Sequence, residues 1–181
     1  MQSDNTGKIA LHFIHNVGHE PLELNKMQYI NAAGNVFMVT DLMYFISEIT
    51  LHSSSGQTRS LNQWKDIFYI DHAISSTHTQ PIFDPIPEGI YDSLSFTFGL
   101  SAEKNQSFIF TNPPEVNMMW PDVLGGGYHY LMLNGKWKTP DDSIKNFNFH
   151  IGIGQEYKNN EINTDSIVQF IHNHFKVSLP L

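Results

Sequence analysis

Alternation of apolar and polar positions runs through most of this chain, with almost no helical periodicity, and it predicts strands. Ile9, Leu11, Phe13, His15 and Val17 share one face of an alternating run, with Ala10, His12, Ile14 and Asn16 on the other. Both faces carry apolar side chains, which reads as an interior strand. A turn follows over Asn31-Ala32-Ala33-Gly34-Asn35. The apolar run from Val36 to Leu51 is too long for one simple strand and is interrupted by Asp41 and Ser47, so it predicts two strands or one bent, bulged strand. Further strands are predicted over 66–73, from Tyr91 to Phe98, from Tyr128 to a close at Asn134-Gly135, over 147–153 and over 167–179. Pro81 to Gly89 carries three prolines and a glycine and reads as an ordered connection. Asn112-Pro113-Pro114 through Trp120-Pro121 reads as a second rigid loop, and Ser101 to Asn105 as one helical turn capped by Ser101. Short strands set off by Gly, Pro and Asn predict an all-β fold, a two-layer antiparallel β-sandwich with long loops; a distorted barrel is the alternative.

Composition narrows what such a fold could do. At 181 residues the chain predicts one domain over 8–181, after a flexible leader over 1–7. The last strand stops without a tail, which suggests that the natural protein continues. The net charge is −8 with only 10 Lys and Arg, so there is no cationic footprint for nucleic acid or for an anionic membrane surface. No apolar stretch approaches the ~20 residues of a transmembrane helix. Cysteine is absent, which excludes disulfides, thiolate metal sites and a cysteine nucleophile. Gly125-Gly126-Gly127 precedes a strand rather than a helix, so it is a tight strand entry and not a nucleotide fingerprint. With no identifiable nucleophile or paired acid and base, the chain reads as a non-enzyme.

Histidine is the unusual residue. There are ten, at 12, 15, 19, 52, 72, 78, 129, 150, 172 and 174, and neutral imidazole is the commonest metal ligand. His129 and His150 stand on predicted strands among aromatics; taken singly, each is more simply a core histidine with a backbone hydrogen bond. His172 and His174 have i, i+2 spacing, a workable chelate or two half-exposed strand residues. His12 and His15 fall on opposite faces, so at most one of them joins a given site from a regular strand. His19, His52, His72 and His78 lie near loops and read as surface residues. The densest methionine spot, Met118-Met119, reads as packing. Tyr128, Tyr130, Trp137 and Tyr157 could instead form an aromatic surface for a sugar or peptide.

Several segments together resemble the MbnP-like family. Leu11 to Gly18 is followed by Pro21-Leu22, then by Tyr29-Ile30-Asn31-Ala32-Ala33-Gly34. Phe37 to Leu51 is similar to the family's "F-x-V-x-x-L-x-Y-Y-I-S-N-I-x-L" signature. Tyr69-Ile70-Asp71, Gly89 to Gly99, Asn117-Met118-Met119-Trp120, Gly127-Tyr128-His129-Tyr130 and Phe149-His150-Ile151-Gly152 complete the ordered set. The resemblance implies an exported β-rich protein, periplasmic or on the outer cell surface, that binds copper for acquisition or storage. It implies His12 or His15, His129 and His150 as ligands, with Trp120 beside them, oxidised to kynurenine by a partner dihaem oxidase. The family's M-x-W-x-W loop departs here: Asp122 stands at the second Trp position. The reading from another class is an envelope carbohydrate- or peptide-binding module with structural histidines.

Overall fold

The computed structural model describes residues 6–62, 66–160 and 162–181, and these form strands and short 3₁₀ turns with no α-helix. The strands are β1 (Thr6–His12), β2 (Asn16–Val17), β3 (Glu20–Pro21), β4 (Tyr29–Ile30), β5 (Val36–Ser53), β6 (Thr58–Ser60), β7 (Ile67–Asp71), β8 (Thr79–Pro87), β9 (Tyr91–Phe98), β10 (Leu131–Lys138), β11 (Ile144–Ile151), β12 (Ile153–Tyr157), β13 (Ile167–His172) and β14 (Phe175–Pro180). The main sheet runs β11-β10-β5-β9-β14, with β4, β7 and β6 also paired to β5. All pairings are antiparallel, and no sheet closes into a barrel. The predicted β-sandwich is the fold.

β5 is the organising element, and the bent strand predicted there has a defined cause. Glu48 adopts a left-handed φ of 57° and the pairing with β9 slips between Ser47 and Thr50. The extra residue changes the parity of the strand. Tyr44 and Ile46 therefore share their buried face with Ile49 and Leu51 rather than with position 48. Without the bulge, those four apolar residues would be divided between the two faces of the sheet. Each fully buried aliphatic side chain on this face contributes about 1.5–3 kcal/mol.

The core lies on both faces of the main sheet. On one face, Tyr44, Ile46, Ile49 and Leu51 pack with Phe68, Ile70 and Leu94 against Ile82 and Ile86 of the two-stranded β1–β8 layer. On the other, Phe45 and Tyr69 pack under Leu100, Met118, Tyr128 and Tyr130 from the long 100–130 connection. Tyr128 and Tyr130 are fully buried, so the aromatic surface expected around them does not form.

Five local expectations need correction, one being that the single strand expected over 167–179 is two, β13 and β14, in different sheets. Residues 81–89 are not merely a connection, because β8 spans most of them with Ile82 and Ile86 buried in alternation. Its prolines are tolerated because β8 has one partner, and a missing N–H on the free side costs nothing. Among the described residues β1 likewise pairs with β8 alone, and it is not an interior strand. The strand expected to close at Asn134-Gly135 runs on to Lys138. A side chain at Gly135 would sit 2.3 Å from the Met38 carbonyl oxygen and from Phe147, so this glycine permits close approach and makes no turn. The leader is shorter than expected, since Thr6 and Gly7 pair with Pro87 and Ile86, while residues 1–5 lie outside the described residues.

Candidate metal centres

Two histidine clusters flank the main sheet. The first joins His15, just beyond β1, to His72 and His78, which bracket the connection from β7 to β8. That connection is wound around Asp71. The Asp71 carboxylate accepts from the Ala73 N–H at 2.8 Å and the Tyr69 hydroxyl at 2.9 Å, and the Asp71 backbone N–H donates to Thr77 Oγ1 at 2.9 Å. Backbone bonds tie in all three segments: His72 N to Leu42 O at 2.9 Å, Phe13 N to His78 O at 2.8 Å and Leu22 N to His15 O at 2.9 Å.

One ligand atom from each of His15, His72 and His78 lies within 4.8 Å of the others, and all three residues are half-buried. This triad can hold a metal ion. His15 Nδ1 and His72 Nδ1 are 2.9 Å apart, and His15 Nε2 meets the Tyr44 hydroxyl at 2.9 Å. His78 Nε2 lies 3.0 Å from the Asp71 carbonyl, which only accepts, so the proton is on Nε2 and Nδ1 carries the lone pair. Burial, with His72 and His78 beside it, lowers the His15 pKa from 6.5 to about 4, so this imidazole is neutral at pH 7.

The second cluster joins Trp120, His129 and His150. Trp120 ends the loop that a bridge between Met119 and Tyr128 pins down, and its N–H donates to Gly127 O at 2.8 Å. Its indole Nε1 donates to Leu124 O at 3.0 Å, and its ring lies on Gly152, where a Cβ would come within 2.7 Å of it. The Trp120 and His129 rings meet edge-on with centroids 4.6 Å apart, and those of His129 and His150 with centroids 4.9 Å apart. His129 Nδ1 donates to Met118 O at 2.9 Å, which leaves Nε2 as the free lone pair. His150 Nε2 bonds Asn134 Oδ1 at 2.8 Å, which leaves Nδ1 free. Burial lowers the pKa of both; for His129 the neighbouring His150 lowers it further, against the hydrogen bond to Met118.

Of the expected ligands, the structure brings His129 and His150 together with Trp120, and places His15 in the other cluster. His12 joins neither: it is exposed and bonds Thr79 Oγ1 at 2.8 Å across the β1–β8 pair. Its register opposite Thr79 holds it there, and β1 ends before His15. His72 and His78 are not surface residues. Nothing local in the sequence relates them to His15, from which His72 is 57 positions away. The i, i+2 pair His172 and His174 is not one strand face, because β13 ends at His172 and Asn173 turns to donate to Gly152 O at 2.9 Å. Their rings are 6.2 Å apart, with His172 against the Tyr130 hydroxyl at 3.3 Å.

An antiparallel β-sandwich with imidazole clusters beside its central sheet defines a β-rich protein, one of whose clusters, His15, His72 and His78, could hold a metal ion. The family model for MbnP matches residues 6–179, and the chain belongs to the MbnP family. Among solved structures it is similar to MbnP from Methylosinus trichosporium, with a TM-score of 0.64, 16% sequence identity, and coverage of 96% of this chain and 71% of that one. At that identity the likeness shows the shared fold. No curated protein sequence matches the chain. Among the described residues, no helix is long and apolar enough to cross a membrane.

Proposed function

We propose that this protein is a non-enzymatic copper-binding protein of the cell envelope, serving copper acquisition or storage, with the ion held between His129 and His150 beside Trp120. The observation that carries the reading is the convergence of these three side chains from three separate segments, with ring centroids 4.6 and 4.9 Å apart. Each imidazole has one nitrogen occupied by a carbonyl or amide oxygen and the other free. Such outer partners fix the tautomer and raise the basicity of the ligating nitrogen. Imidazole suits copper, and the indole face adjoining the pair would stabilise a cation there. Two imidazoles leave an incomplete coordination sphere. A third ligand created by oxidation of Trp120 to kynurenine, by a dihaem oxidase partner, would complete it.

The test is copper content and intact mass, on chain exported by a native-like host and on chain made in the cytoplasm. One copper per chain that is lost in His129→Asn and His150→Asn supports the reading, and a Trp-to-kynurenine mass change in the exported form adds the modification. Copper at background in the exported protein refutes it. A second reading, a carbohydrate- or peptide-binding module, has one observation in its favour: a cavity of about 380 Å³ lined by Phe37, Trp137 and Phe147, with Asn31 and Asn35 at its polar side. Glycan-array binding that disappears in Trp137→Ala would favour it.

A further inference from the structure

We propose that His15, His72 and His78 form a second, independent metal site, taking one divalent transition-metal ion of the zinc class through three imidazole nitrogens, with water at a fourth position. The two clusters are too far apart to share an ion. Asp71, Met43, Met132 and His150 are register partners across β7, β5, β10 and β11. His72 follows Asp71 at one end of this row and His150 ends the other, so three strand spacings of about 4.8 Å separate them, roughly 14 Å.

The triad can serve as a ligand set as well as a hydrogen-bonded one. The inner nitrogens of His15 and His72 face each other at 2.9 Å, so a single proton shared between the two rings is all that keeps two lone pairs from a common point. The Asp71 carboxylate, adjacent in sequence to His72, is already engaged by Tyr69 and Ala73. The outer nitrogens of His15 and His78 are instead held by the Tyr44 hydroxyl and the Asp71 carbonyl, the arrangement that orients metal-ligating histidines. His72 and His78 stack with centroids 5.7 Å apart, and His15 is edge-on to both.

The His15–His72 separation is close to that between two ligands of a tetrahedral ion, and a His78 nitrogen lies within 4.8 Å of both. Two metal–nitrogen bonds of about 2.05 Å at the tetrahedral angle put their nitrogens about 3.3 Å apart. Opening the His15–His72 contact by about 0.4 Å reaches that value, a small ring rotation. The proton now shared between the two rings moves to the outer nitrogen of the ring that carries it, and the Tyr44 hydroxyl reorients to accept where that ring is His15. Binding therefore releases no net proton from the neutral triad. Three nitrogen donors with an open, half-exposed fourth position suit zinc, cobalt, nickel or copper as divalent ions, and disfavour the oxygen-seeking magnesium and calcium.

The experiment is a titration of the metal-free full chain with Co2+ alone, then displacement by Zn2+. One Co2+ per chain with the intense visible absorption of a four-coordinate site is expected. It should be lost in His72→Asn and in His78→Asn, and retained in the His129→Asn/His150→Asn double variant. No such absorption in the wild type, or its persistence in His72→Asn and His78→Asn, overturns the proposal. Should those variants fail to fold, imidazole 15N resonances of the wild-type chain decide. Zn2+ that shifts the ring nitrogens of His15, His72 and His78 supports the site, and Zn2+ that leaves them unmoved overturns it. Copper at His129 and His150 stands or falls separately, because its test reads different residues.

Discussion

Lowering the pH should destabilise the metal-free protein through His15, and the size of the effect follows from its surroundings. Burial and the two neighbouring imidazoles bring the folded-state pKa from 6.5 down to about 4. The unfolded chain therefore binds a proton at this position that the folded chain refuses between those values. Stability is then fully present above pH 6.5, falls as the pH drops from there, and reaches its floor below about pH 4. In a dry site a fall of this size is worth about 3 kcal/mol, at roughly 1.4 kcal/mol per tenfold change in proton affinity. His15 is only half-buried, so solvent screens part of the penalty, and on the order of 1–2 kcal/mol is expected. The groups facing the ring are His72, His78 and the Tyr44 phenol, and burial pushes that phenol's pKa up and keeps it neutral throughout. The assay is urea unfolding with chelator present, at steps from pH 7.5 to 4.5, on wild type and His15→Gln. Contributions from His129 and His150 carry the same sign and cancel in the difference. Wild type should lose on the order of 1–2 kcal/mol more than the variant across this range. Parallel curves for the two proteins would refute the assigned environment of His15.

Three further outcomes follow from particular contacts. Gly152→Ala places a methyl group 2.7 Å from the Trp120 ring, so the ring must shift; copper affinity should fall at least tenfold in a competition titration while stability drops only about 1–3 kcal/mol. Gly99 has a φ of 93° and a Cβ there would lie 2.7 Å from Tyr130 Cγ; Gly99→Ala combines strain with overpacking and should cost about 2–4 kcal/mol in urea unfolding. Tyr44→Phe removes the hydroxyl 2.9 Å from His15 Nε2; Zn2+ affinity should fall about 10- to 100-fold with near-UV circular dichroism unchanged.

Much of the fold is legible in the sequence because sandwiches write themselves in alternation. The bulge in β5 is foretold by the polar breaks in a run too long to be straight, although nothing in the run marks Glu48 as the residue that takes the left-handed turn. β8 is harder to read. Ile82 and Ile86 do share one face of β8 with all three prolines on the other, but those prolines suppress the strand signal unless the strand is known to lie at an edge. Gly135 misleads in the opposite direction, since an Asn-Gly pair is the strongest short hairpin signal and here serves a close crossing of Met38 and Phe147. The sites divide the same way. His129, His150 and Trp120 sit in segments whose order carries the family resemblance. The triad depends on the β1–β8 pairing to bring His15 to His78, and that pairing was hidden with β8.

The row of paired residues through Asp71, Met43, Met132 and His150 gives the two clusters a common frame and separate fates. β5 occupies the interior of that row, and its side chains Tyr44 and Phe45 point to opposite core faces. Tyr44 reaches the triad, while Phe45 packs with Tyr128 and Met118, beside the backbone that holds His129. A rigid central strand therefore sets each cluster through a different side chain. Strain introduced at one cluster has to cross three strand spacings of close-packed sheet to reach the other. Substitutions that affect only one cluster's ligands should leave the other's affinity within a few tenths of a kcal/mol, as for separated sites generally. A double-mutant cycle pairing His78→Asn with His150→Asn, read by Co2+ and copper titration, measures this directly. A coupling above about 0.5 kcal/mol would mean that the two clusters respond as one.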